Sequence, residues 1–318
     1  MQAVDANRTI GPVPQAPLVI LNPVAGGGRA GRLAGWVSER LAARPDARFE
    51  VTRRAGHAEE LAAGAAGQHD RVVAVGGDGT IQEVMNGLVN GEPAASIGIV
   101  PVGSGNDLAR SLGLPRDPAA AWTIALGSAE RSLDLALATA GDGRTRWFGS
   151  AGGIGFDAQV AAAMATRSGW QRGQAGYLLT TLAELRRFSN RRIELTIDGV
   201  PRETRALFVA IANGEYYGGG MRIAPGAAVD DGMLDLCIVG DVSRLTALRQ
   251  LVNLYRGTHV DHPQVEMAQG HTIEVDGDAG TLTHLDGEPF GWLPLTVRLR
   301  PAAIRVASRD RRPLGYLA

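Results

Sequence analysis

The chain has 318 residues, 45% of them hydrophobic, and its formal net charge is −1 at pH 7. At roughly 100–200 residues per domain this length predicts two domains with well-filled cores, and the near-neutral charge argues against a nucleic-acid-binding surface. All 32 basic residues are arginine because the sequence contains no lysine, which excludes the usual Walker A loop and the usual protein-kinase site.

Targeting and membrane-spanning signals are weak. No stretch has the composition of a secretory signal, and none approaches the roughly 20 uninterrupted apolar residues that span a bilayer. We therefore expect a cytoplasmic protein whose membrane contact, if it has any, is peripheral. The single cysteine, Cys237, excludes an internal disulfide and a metal site built from several cysteines.

The first half of the chain alternates apolar strands with helical patterns. Residues 1–16 show little periodicity and are expected to form a loose leader. Apolar runs at 17–21, 72–75 and 97–100 predict buried strands, and apolar residues at helical spacing follow each of them. This alternation is typical of a parallel sheet with helices on both faces.

The pattern changes after about residue 133 to short alternating runs, which are typical of antiparallel strands. The runs at 193–197 and 206–212 flank Asp198 and Gly199, a dipeptide that favours a tight hairpin turn. One helix, over about 174–188, is expected to interrupt this β-rich region because leucines recur there at helical spacing.

These patterns predict two domains after the leader. Residues 17–133 form the α/β domain, and residues 134–303 form the antiparallel β-rich domain. The tail at about 304–318 is a candidate to return to the first domain.

Three glycine-rich turns follow three of the predicted strands. They lie at 22–29 (NPVAGGGR), 76–80 (GGDGT) and 101–107 (PVGSGND). Glycine lets the backbone approach a phosphate closely, and a following helix N-terminus favours an anion. Because ligands of open α/β sheets bind at the carboxyl ends of the strands, these turns predict a nucleotide site.

Local structure could explain part of the second turn. Thr80 and Glu83 have the spacing of a capping box, in which they would only satisfy the start of a helix. Asp78 is harder to explain in this way, because a carboxylate between two glycines has nothing to pack against. A phosphate would repel it unless it held a metal ion or a donor hydroxyl.

These segments resemble the diacylglycerol kinase catalytic-domain family, which includes bacterial diacylglycerol kinases, sphingosine kinases and ceramide kinases. The resemblance rests on Asn22-Pro23 with Gly26, on 76–80, on 103–107 and on a late Asp-Gly-Glu at 286–288. The Gly-Gly-Asp-Gly-Thr loop alone is shared with NAD kinases and, more loosely, with phosphofructokinases. The resemblance implies a first domain like those enzymes and a second domain that receives the lipid substrate.

The resemblance also implies that ATP binds along the three turns. The residues that match this site are Asn22, Pro23, Gly26, Thr52, Gly77, Asp78, Gly79, Thr80, Glu83, Ser104 and Asn106. Ser104 stands where the family usually has threonine, and keeps the hydroxyl. In the absence of lysine, Arg29 and Arg110 are candidates for offsetting the phosphate charge.

The family implies that Glu288 is the general base, with Asp286 and Asp78 as further catalytic residues. A positioned carboxylate can accept the proton of a lipid hydroxyl as the phosphorus–oxygen bond forms, which agrees with this role. A plain hairpin turn at 286–288 is the alternative.

Phosphoryl transfer from ATP needs Mg²⁺ to offset charge, and the resemblance implies two places for it. One is a network of aspartates around a catalytic magnesium, here Asp78, Asp107 and Asp134. The other resembles a structural magnesium loop, with the carboxylate of Asp231 and the backbone carbonyls of Ala228 and Met233. An ordinary turn before a strand would explain that loop equally well.

The expected activity is transfer of the γ-phosphoryl group of ATP to a membrane lipid, with diacylglycerol giving phosphatidic acid. The alternatives are an NAD kinase-like enzyme with a soluble substrate and a noncatalytic nucleotide-binding regulator. Four arginines could dock on anionic head groups at the inner face of the membrane, although a solvated helix end explains them as well: Arg186, Arg187, Arg191 and Arg192. The sequence leaves open which lipid is phosphorylated and whether the protein forms a homodimer.

Overall fold

The computed structural model describes residues 8–10, 16–65, 67–90, 95–167 and 174–309. Parallel strands between helices form the first half, and antiparallel strands in two layers form the second. Both parts of the predicted fold class are therefore confirmed.

The first half is built on four parallel strands: β2 Leu18–Leu21, β3 Arg48–Val51, β4 Arg71–Gly76 and β5 Ser96–Pro101. They lie in the order β3, β2, β4, β5. Strands β2, β4 and β5 are buried along their whole length, which requires a layer of helices on each face of the sheet.

Helices cover both faces of this sheet. One face packs against α3 His57–Ala63, α4 Asp78–Val89 and α5 Asp107–Ser111. The other face packs against α2 Ala34–Leu41 and α6 Pro118–Ala125. A single helical turn, α1 Ala25–Gly28, lies in the first glycine-rich segment.

Antiparallel strands form the second half. Their bounds are β6 Ala129–Ala140, β7 Thr145–Phe148, β8 Ala151–Gly155, β9 Arg191–Ile197, β10 Val200–Ala206, β11 Phe208–Ala212, β12 Tyr216–Tyr217, β13 Met221–Arg222, β14 Leu234–Val239, β15 Val265–Gly270, β16 Thr272–Gly277, β17 Leu282–Leu285, β18 Glu288–Trp292 and β19 Leu295–Ala307. One layer has the order β15, β14, β11, β8, β17, β18, and the other contains β10, β9, β16, β19 and β6. Side chains from both layers share one core, as in a β-sandwich.

The predicted hairpin at Asp198 and Gly199 joins β9 to β10, and both turn residues have positive φ angles. The predicted helix over 174–188 is present as α8 Gln174–Leu185. Two further helices in this half were not predicted, α7 Phe156–Ala165 and α9 Arg244–Arg256. Side chains of α7, α8 and α9 pack on the outer face of the six-stranded sheet.

One long strand joins the two halves. β19 pairs antiparallel with β6 and β16, and its Val306 pairs parallel with Ile97 of β5. The sheet is therefore continuous across the predicted domain boundaries, which fall inside β6 and β19. Within the predicted leader, Arg8–Ile10 forms β1 and pairs with β6, so this part is hydrogen-bonded to the sheet rather than loose.

In the part of the chain that the structure describes, every helix is too short or too polar to cross a bilayer.

Candidate active site

The three glycine-rich turns meet at one edge of the parallel sheet. They surround an open cavity of about 820 Å³, and every residue predicted to bind ATP except Asn106 lines it. Asp286 and Glu288, from the far end of the sequence, lie in the same wall. The early glycine turns and the late acidic motif therefore converge.

The first turn depends on glycine. Gly26 has a φ of +62°, and a Cβ atom there would lie 2.1 Å from the carbonyl oxygen of Val102. Asn22 donates from Nδ2 to Thr80 Oγ1 at 3.0 Å, which ties this turn to the second. Arg29 donates to the carbonyl oxygens of Gly26 and Gly103, so its guanidinium holds the first and third turns together.

The second turn begins α4 without a capping box. Gly77, rather than Thr80, is the N-cap of α4, so Thr80 and Glu83 do not form the capping box of the structural alternative. Glu83 instead accepts hydrogen bonds from the backbone N–H groups of Gly56 and Ala58, at the start of α3. There its charge complements the positive end of that helix dipole and fixes the segment that lines the cavity beside Thr52.

Asp78 joins the second turn to the third. Its Oδ2 accepts from the N–H of Asn106 at 2.6 Å, and its Oδ1 accepts from the N–H of Asp107 at 2.7 Å. Asn106 adopts the left-handed conformation that this approach requires, with a φ of 55°, and its amide donates to Gly103 O. Asn106 thus shapes the loop from behind, which explains why it does not line the cavity.

Asp107 places a second buried carboxylate beside Asp78. Its Oδ2 accepts from Gly219 N at 2.8 Å, whereas its buried Oδ1 accepts no hydrogen bond and lies 3.9 Å from Arg110 Nε. Burial, and then the neighbouring Asp78 charge, raise the pKa of Asp107 to about 7. Burial also raises the pKa of Asp78. Two carboxylates in this position favour a bound cation.

The Asp-Gly-Glu motif forms the tight turn between β17 and β18, with φ angles of 48° at Asp286 and 84° at Gly287. Asp286 accepts from three consecutive backbone N–H groups, those of Gly149, Ser150 and Ala151. Burial raises the pKa of Asp286 to about 6, and these hydrogen bonds oppose the rise. Asp286 anchors the turn, and the exposed Glu288 projects from it beside the cavity.

Comparison with known proteins agrees with this arrangement. The model of the diacylglycerol kinase catalytic domain matches residues 16–147, and that of the YegS C-terminal NAD kinase beta sandwich-like domain matches residues 151–308. A diacylglycerol kinase of Mycobacterium tuberculosis is 32% identical over 291 residues, which cover 90% of this chain and 93% of that protein. The chain belongs to the diacylglycerol kinase catalytic-domain family.

Further relatives point the same way. A protein of Pseudomonas fluorescens named "Probable lipid kinase YegS-like" is 34% identical over 287 residues, covering 90% of each chain. A Bacillus anthracis crystal structure, named as that of a "putative diacylglycerol kinase", superposes with a TM-score of 0.78 at 26% identity, covering 94% of this chain and 97% of that one. The protein is thus a lipid kinase, and its family implies that it uses ATP.

A second cavity of the lipid kinase, of about 290 Å³, adjoins the turn-lined cavity, which we call the nucleotide cavity after its predicted ligand. Asp78, Ser104 and Asp286 line both. Asp157, Tyr217 and His284 line the far side of the second cavity. The two cavities thus meet at the turns that carry the acidic residues.

Sequence reasoning missed a buried pair in that far wall. His284 Nε2 lies 3.3 Å from Asp157 Oδ2, and His284 Nδ1 accepts from the N–H of Gly287. The acceptor role of Nδ1 places the proton on Nε2, which then donates to the carboxylate. Through Gly287, this pair supports the turn that carries Glu288.

A third, apolar cavity of about 50 Å³ lies between the six-stranded sheet and the helices that cover it. Asp157 and Tyr217 line both this cavity and the second one. Aliphatic and aromatic side chains form most of its wall, among them Val160 from α7, Leu185 from α8 and Leu251 from α9.

The predicted magnesium residues fall into two groups. Asp134 lies with the 228–233 loop, because its oxygens accept from the N–H groups of Gly232 and Ala302. None of its described hydrogen bonds goes to Asp78 or Asp107. The carboxylate of Asp231 accepts from Met233 N, as in an ordinary turn.

No group of three or more His, Cys, Asp or Glu side chains with the arrangement of a metal site occurs among the described residues. A cation at Asp78 and Asp107 would therefore take its remaining ligands from phosphate oxygens or water.

Several of the arginines predicted to bind phosphate or head groups bond to other protein groups instead. Arg110 donates to Gly105 O, and Arg29 holds the turns. Arg192 of the arginine cluster pairs with Glu194 and Glu203 at 3.0 and 2.7 Å, whereas Arg186 and Arg187 are exposed. Arg53, which lines the nucleotide cavity, was not predicted.

Proposed function

We propose that this lipid kinase transfers the γ-phosphoryl group of Mg²⁺-bound ATP to the hydroxyl group of diacylglycerol, releasing ADP and phosphatidic acid. The observation that carries the proposal is the adjacency of the three cavities. The nucleotide cavity and the second cavity share the lining residues Asp78 and Asp286, and the second and the apolar cavity share Asp157 and Tyr217.

The triphosphate fits the turn-lined cavity because of its backbone. The turns at 22–28 and 103–106 lie next to the N-termini of α4 and α5, which favour anions. Arg53 and Arg54 line the same cavity, and Arg54 is held by Glu60. No described ion pair involves Arg53, so we assign it, rather than Arg29 or Arg110, to the phosphate charge.

Asp78 and Asp107 suit the magnesium ion. Their close approach is unfavourable while both are charged, and Asp107 Oδ1 is buried without a hydrogen-bond donor. A divalent cation would satisfy that oxygen and hold both carboxylates ionised. When bound, the ion would offset the negative charge of the transferring phosphoryl group.

In this proposal Glu288, which lines the nucleotide cavity, takes the proton. As the lipid hydroxyl oxygen attacks the γ-phosphorus, its O–H bond breaks and the proton passes to the Glu288 carboxylate. The bond between the γ-phosphorus and the β–γ bridging oxygen breaks, and ADP leaves with that oxygen. Asp286 fixes the turn through three backbone hydrogen bonds and thereby holds Glu288 in position.

The apolar cavity supports an acyl-bearing acceptor. A soluble dinucleotide would place a charged, hydrated group against the apolar wall at Val160, Leu185 and Leu251. The family assignment also selects a lipid kinase over the NAD kinase-like enzyme and the noncatalytic regulator. Diacylglycerol is favoured among lipids by the name of the mycobacterial relative.

The test is phosphoryl transfer from γ-labelled ATP to mixed micelles that contain diacylglycerol, ceramide, sphingosine or polyprenol, in parallel. We expect Mg²⁺-dependent label in the organic extract of the diacylglycerol sample. Glu288→Gln should lower kcat by about 10²–10⁴-fold, the usual effect of removing a general base. Because Glu288 is exposed, its thermal unfolding should match the wild type.

Label in another lipid alone would reject diacylglycerol and keep the lipid kinase. Full activity of Glu288→Gln would reject the assigned base. A matched control is Glu266→Gln, an exposed glutamate on β15 that contacts Arg202 and lies outside all three cavities.

A further inference from the structure

Helix α9 exposes a stripe of large apolar side chains. Leu245, Leu248, Val252 and Tyr255 are 56%, 42%, 56% and 43% exposed, respectively. Their spacing of three, four and three residues places them along one face of the helix, over about 15 Å. A soluble protein normally buries such a face, so this one calls for a partner.

The opposite face of α9 lines the apolar cavity, through Ala247, Gln250, Leu251 and Leu254. The helix is therefore a single wall between that cavity and the exterior. Helix α8 is built in the same way. Its Thr181 and Leu185 line the cavity, and its Leu178 and Leu179 are exposed.

The charged side chains of α9 are all basic. Arg249 and Arg256 each follow an apolar member of the stripe by four residues, so they border it on one side. Both are exposed, neither makes a described ion pair, and α9 contains no aspartate or glutamate. Arg244 donates to Phe188 O, which brings the end of α8, with Arg186 and Arg187, next to the start of α9.

We propose that this α9 face, formed by Leu245, Leu248, Val252 and Tyr255 with Arg249 and Arg256, rests in the head-group layer of an anionic bilayer. An apolar stripe with arginines beside it and no acidic residue is the composition of a helix that lies in a membrane interface. A second copy of the chain is the less favourable occupant, because it would bring the same arginines together.

The position of the face gives it a role in the proposed function, on which this part of the inference rests. A lipid leaving the bilayer at α9 would have to pass only this helix and α8 to reach the apolar cavity behind them. The acceptor hydroxyl could then reach the second cavity while its acyl chains stay in contact with apolar surface.

The experiment measures vesicle binding by the full-length chain without ATP. Vesicles of phosphatidylcholine alone are compared with vesicles that also contain phosphatidylglycerol. The apolar variant is Leu245→Ser/Leu248→Ser/Val252→Ser, and the charge variant is Arg249→Gln/Arg256→Gln. Tyr255 is left intact because it lines the second cavity. The control, Val200→Ser/Met267→Ser, removes apolar side chains that are 58% and 38% exposed on β10 and β15.

We expect the wild type and the control to bind the anionic vesicles equally. The apolar variant should bind about tenfold more weakly or worse, and the charge variant should lose its preference for phosphatidylglycerol. Equal binding by the apolar variant would overturn the proposal, as would a wild-type dimer in sedimentation velocity that this variant dissociates. Unchanged thermal unfolding of the variants excludes misfolding as the cause.

A second readout separates this inference from the proposed function. With a short-chain diacylglycerol dissolved as monomers, the apolar variant should keep wild-type kcat, because its substrate no longer comes from a surface. If the wild type binds vesicles through α9 but phosphorylates no diacylglycerol, the proposed substrate fails and the docking surface stands. If the wild type phosphorylates the soluble lipid but the apolar variant still binds vesicles, the proposed substrate stands and the docking surface fails.

Discussion

The nucleotide cavity and the apolar cavity each share lining residues with the second cavity, but they are built differently. The nucleotide cavity is lined by turns in which individual atomic contacts restrict which residue fits. Gly26 has no room for a Cβ atom beside Val102 O, and Asp78 accepts hydrogen bonds from two backbone N–H groups. The apolar cavity is walled by side chains such as Val160 and Leu251, which others of similar volume could replace. We infer that the phosphoryl donor is strictly specified, whereas the fit to the acceptor can change by ordinary core substitutions.

The largest expected effect comes from a substitution in the nucleotide cavity, the more strictly specified of the two. Asp78→Asn replaces one carboxylate oxygen with an amino group, which cannot accept a hydrogen bond. Whichever of Asn106 N and Asp107 N faces that group therefore loses its acceptor. The substitution also removes half of the charge that would hold the cation. We expect kcat/KM to fall by at least about 100-fold, in line with the loss of a positioned electrostatic group.

Steady-state kinetics over a range of Mg²⁺ concentrations checks this expectation. The control is Asp117→Asn, at the exposed N-cap of α6, because asparagine caps a helix as well as aspartate does. Wild-type kcat/KM in Asp78→Asn would remove Asp78 from the catalytic site.

Two substitutions, one in each cavity, compare the two cavities directly. The expected effect is smaller, about tenfold in KM. Ala55→Trp narrows the nucleotide cavity and should raise KM for ATP while KM for the lipid stays unchanged. Ala247→Phe fills the apolar cavity and should raise KM for the lipid while KM for ATP stays unchanged. It should also destabilise the fold by about 1–3 kcal/mol, because the space is small.

Both KM values are measured for each variant, with folding followed by thermal unfolding. If each substitution raised both KM values equally, the two cavities would not be separate binding sites.

Much of the nucleotide side was predictable from sequence because its chemistry is local. The glycine turns follow recognisable strands, and the residues of each motif, such as Gly76 to Thr80, are neighbours in the chain. The convergence of those turns with Asp286 and Glu288 followed from the family resemblance and is present in the structure.

The apolar cavity and its surroundings were less predictable, because the residues that form them are far apart in sequence or fit more than one pattern. Helix α9 carries apolar residues on both faces, the buried Leu254 and the partly buried Leu251 as well as the exposed Leu245 and Val252, so its sequence does not show which face packs on the sheet. The pair of Asp157 and His284 is 127 residues apart in sequence, and neither residue stands in a motif.

The continuity of the joining strand β19 across the predicted boundary at residue 303 was not predicted, for a backbone reason. The register slips between Arg300 and Ile304, and Ala302 has a φ of 48°, so the apolar alternation stops there. The Asp134 carboxylate accepts from Ala302 N at this point, which secures the irregular segment. A pattern of alternating residues cannot show a strand that continues through such a bulge.

The first turn offers a smaller effect, which separates steric fit from backbone strain. Gly26→Ala and Gly27→Ala both place alanine at a positive φ, but only the first puts a Cβ atom against a carbonyl, that of Val102. We expect Gly27→Ala to cost about 1 kcal/mol of unfolding free energy and Gly26→Ala about 2–3 kcal/mol, with weaker ATP binding only in the latter.

Chemical denaturation and ATP titration test this pair. Gly35→Ala, in α2 with open space around its Cβ position and no positive φ, is the control and should match or exceed wild-type stability. Equal effects at Gly26 and Gly27 would show that the contact with Val102 O does not restrict the loop.

A final effect on stability, similar in size to those at Gly26 and Gly27, is a pH dependence at Asp286, which lines both the nucleotide cavity and the second cavity. Burial raises the pKa of Asp286 to about 6 in the folded protein, against about 4 in the unfolded chain. The folded state therefore binds this proton more tightly. Its contribution to stability is complete below about pH 4 and is lost as the pH rises through about 6. Asp286→Asn removes this titration, so the stability of the wild type relative to the variant should decline between pH 4 and 7, by an amount on the order of 2 kcal/mol.

Urea denaturation at each pH gives the two profiles, and the change in their difference is the measured quantity, because the substitution also alters hydrogen bonds at every pH. Asp142→Asn is the control with the opposite sign. Its hydrogen bonds with Arg144 hold the pKa of Asp142 below its usual value, so removing that carboxylate should change the profile in the other direction and by less, since the group is exposed. Parallel profiles for the wild type and Asp286→Asn would mean that the three backbone N–H groups cancel the effect of burial on the pKa of Asp286. A difference that changes in the opposite direction would mean that these hydrogen bonds outweigh burial.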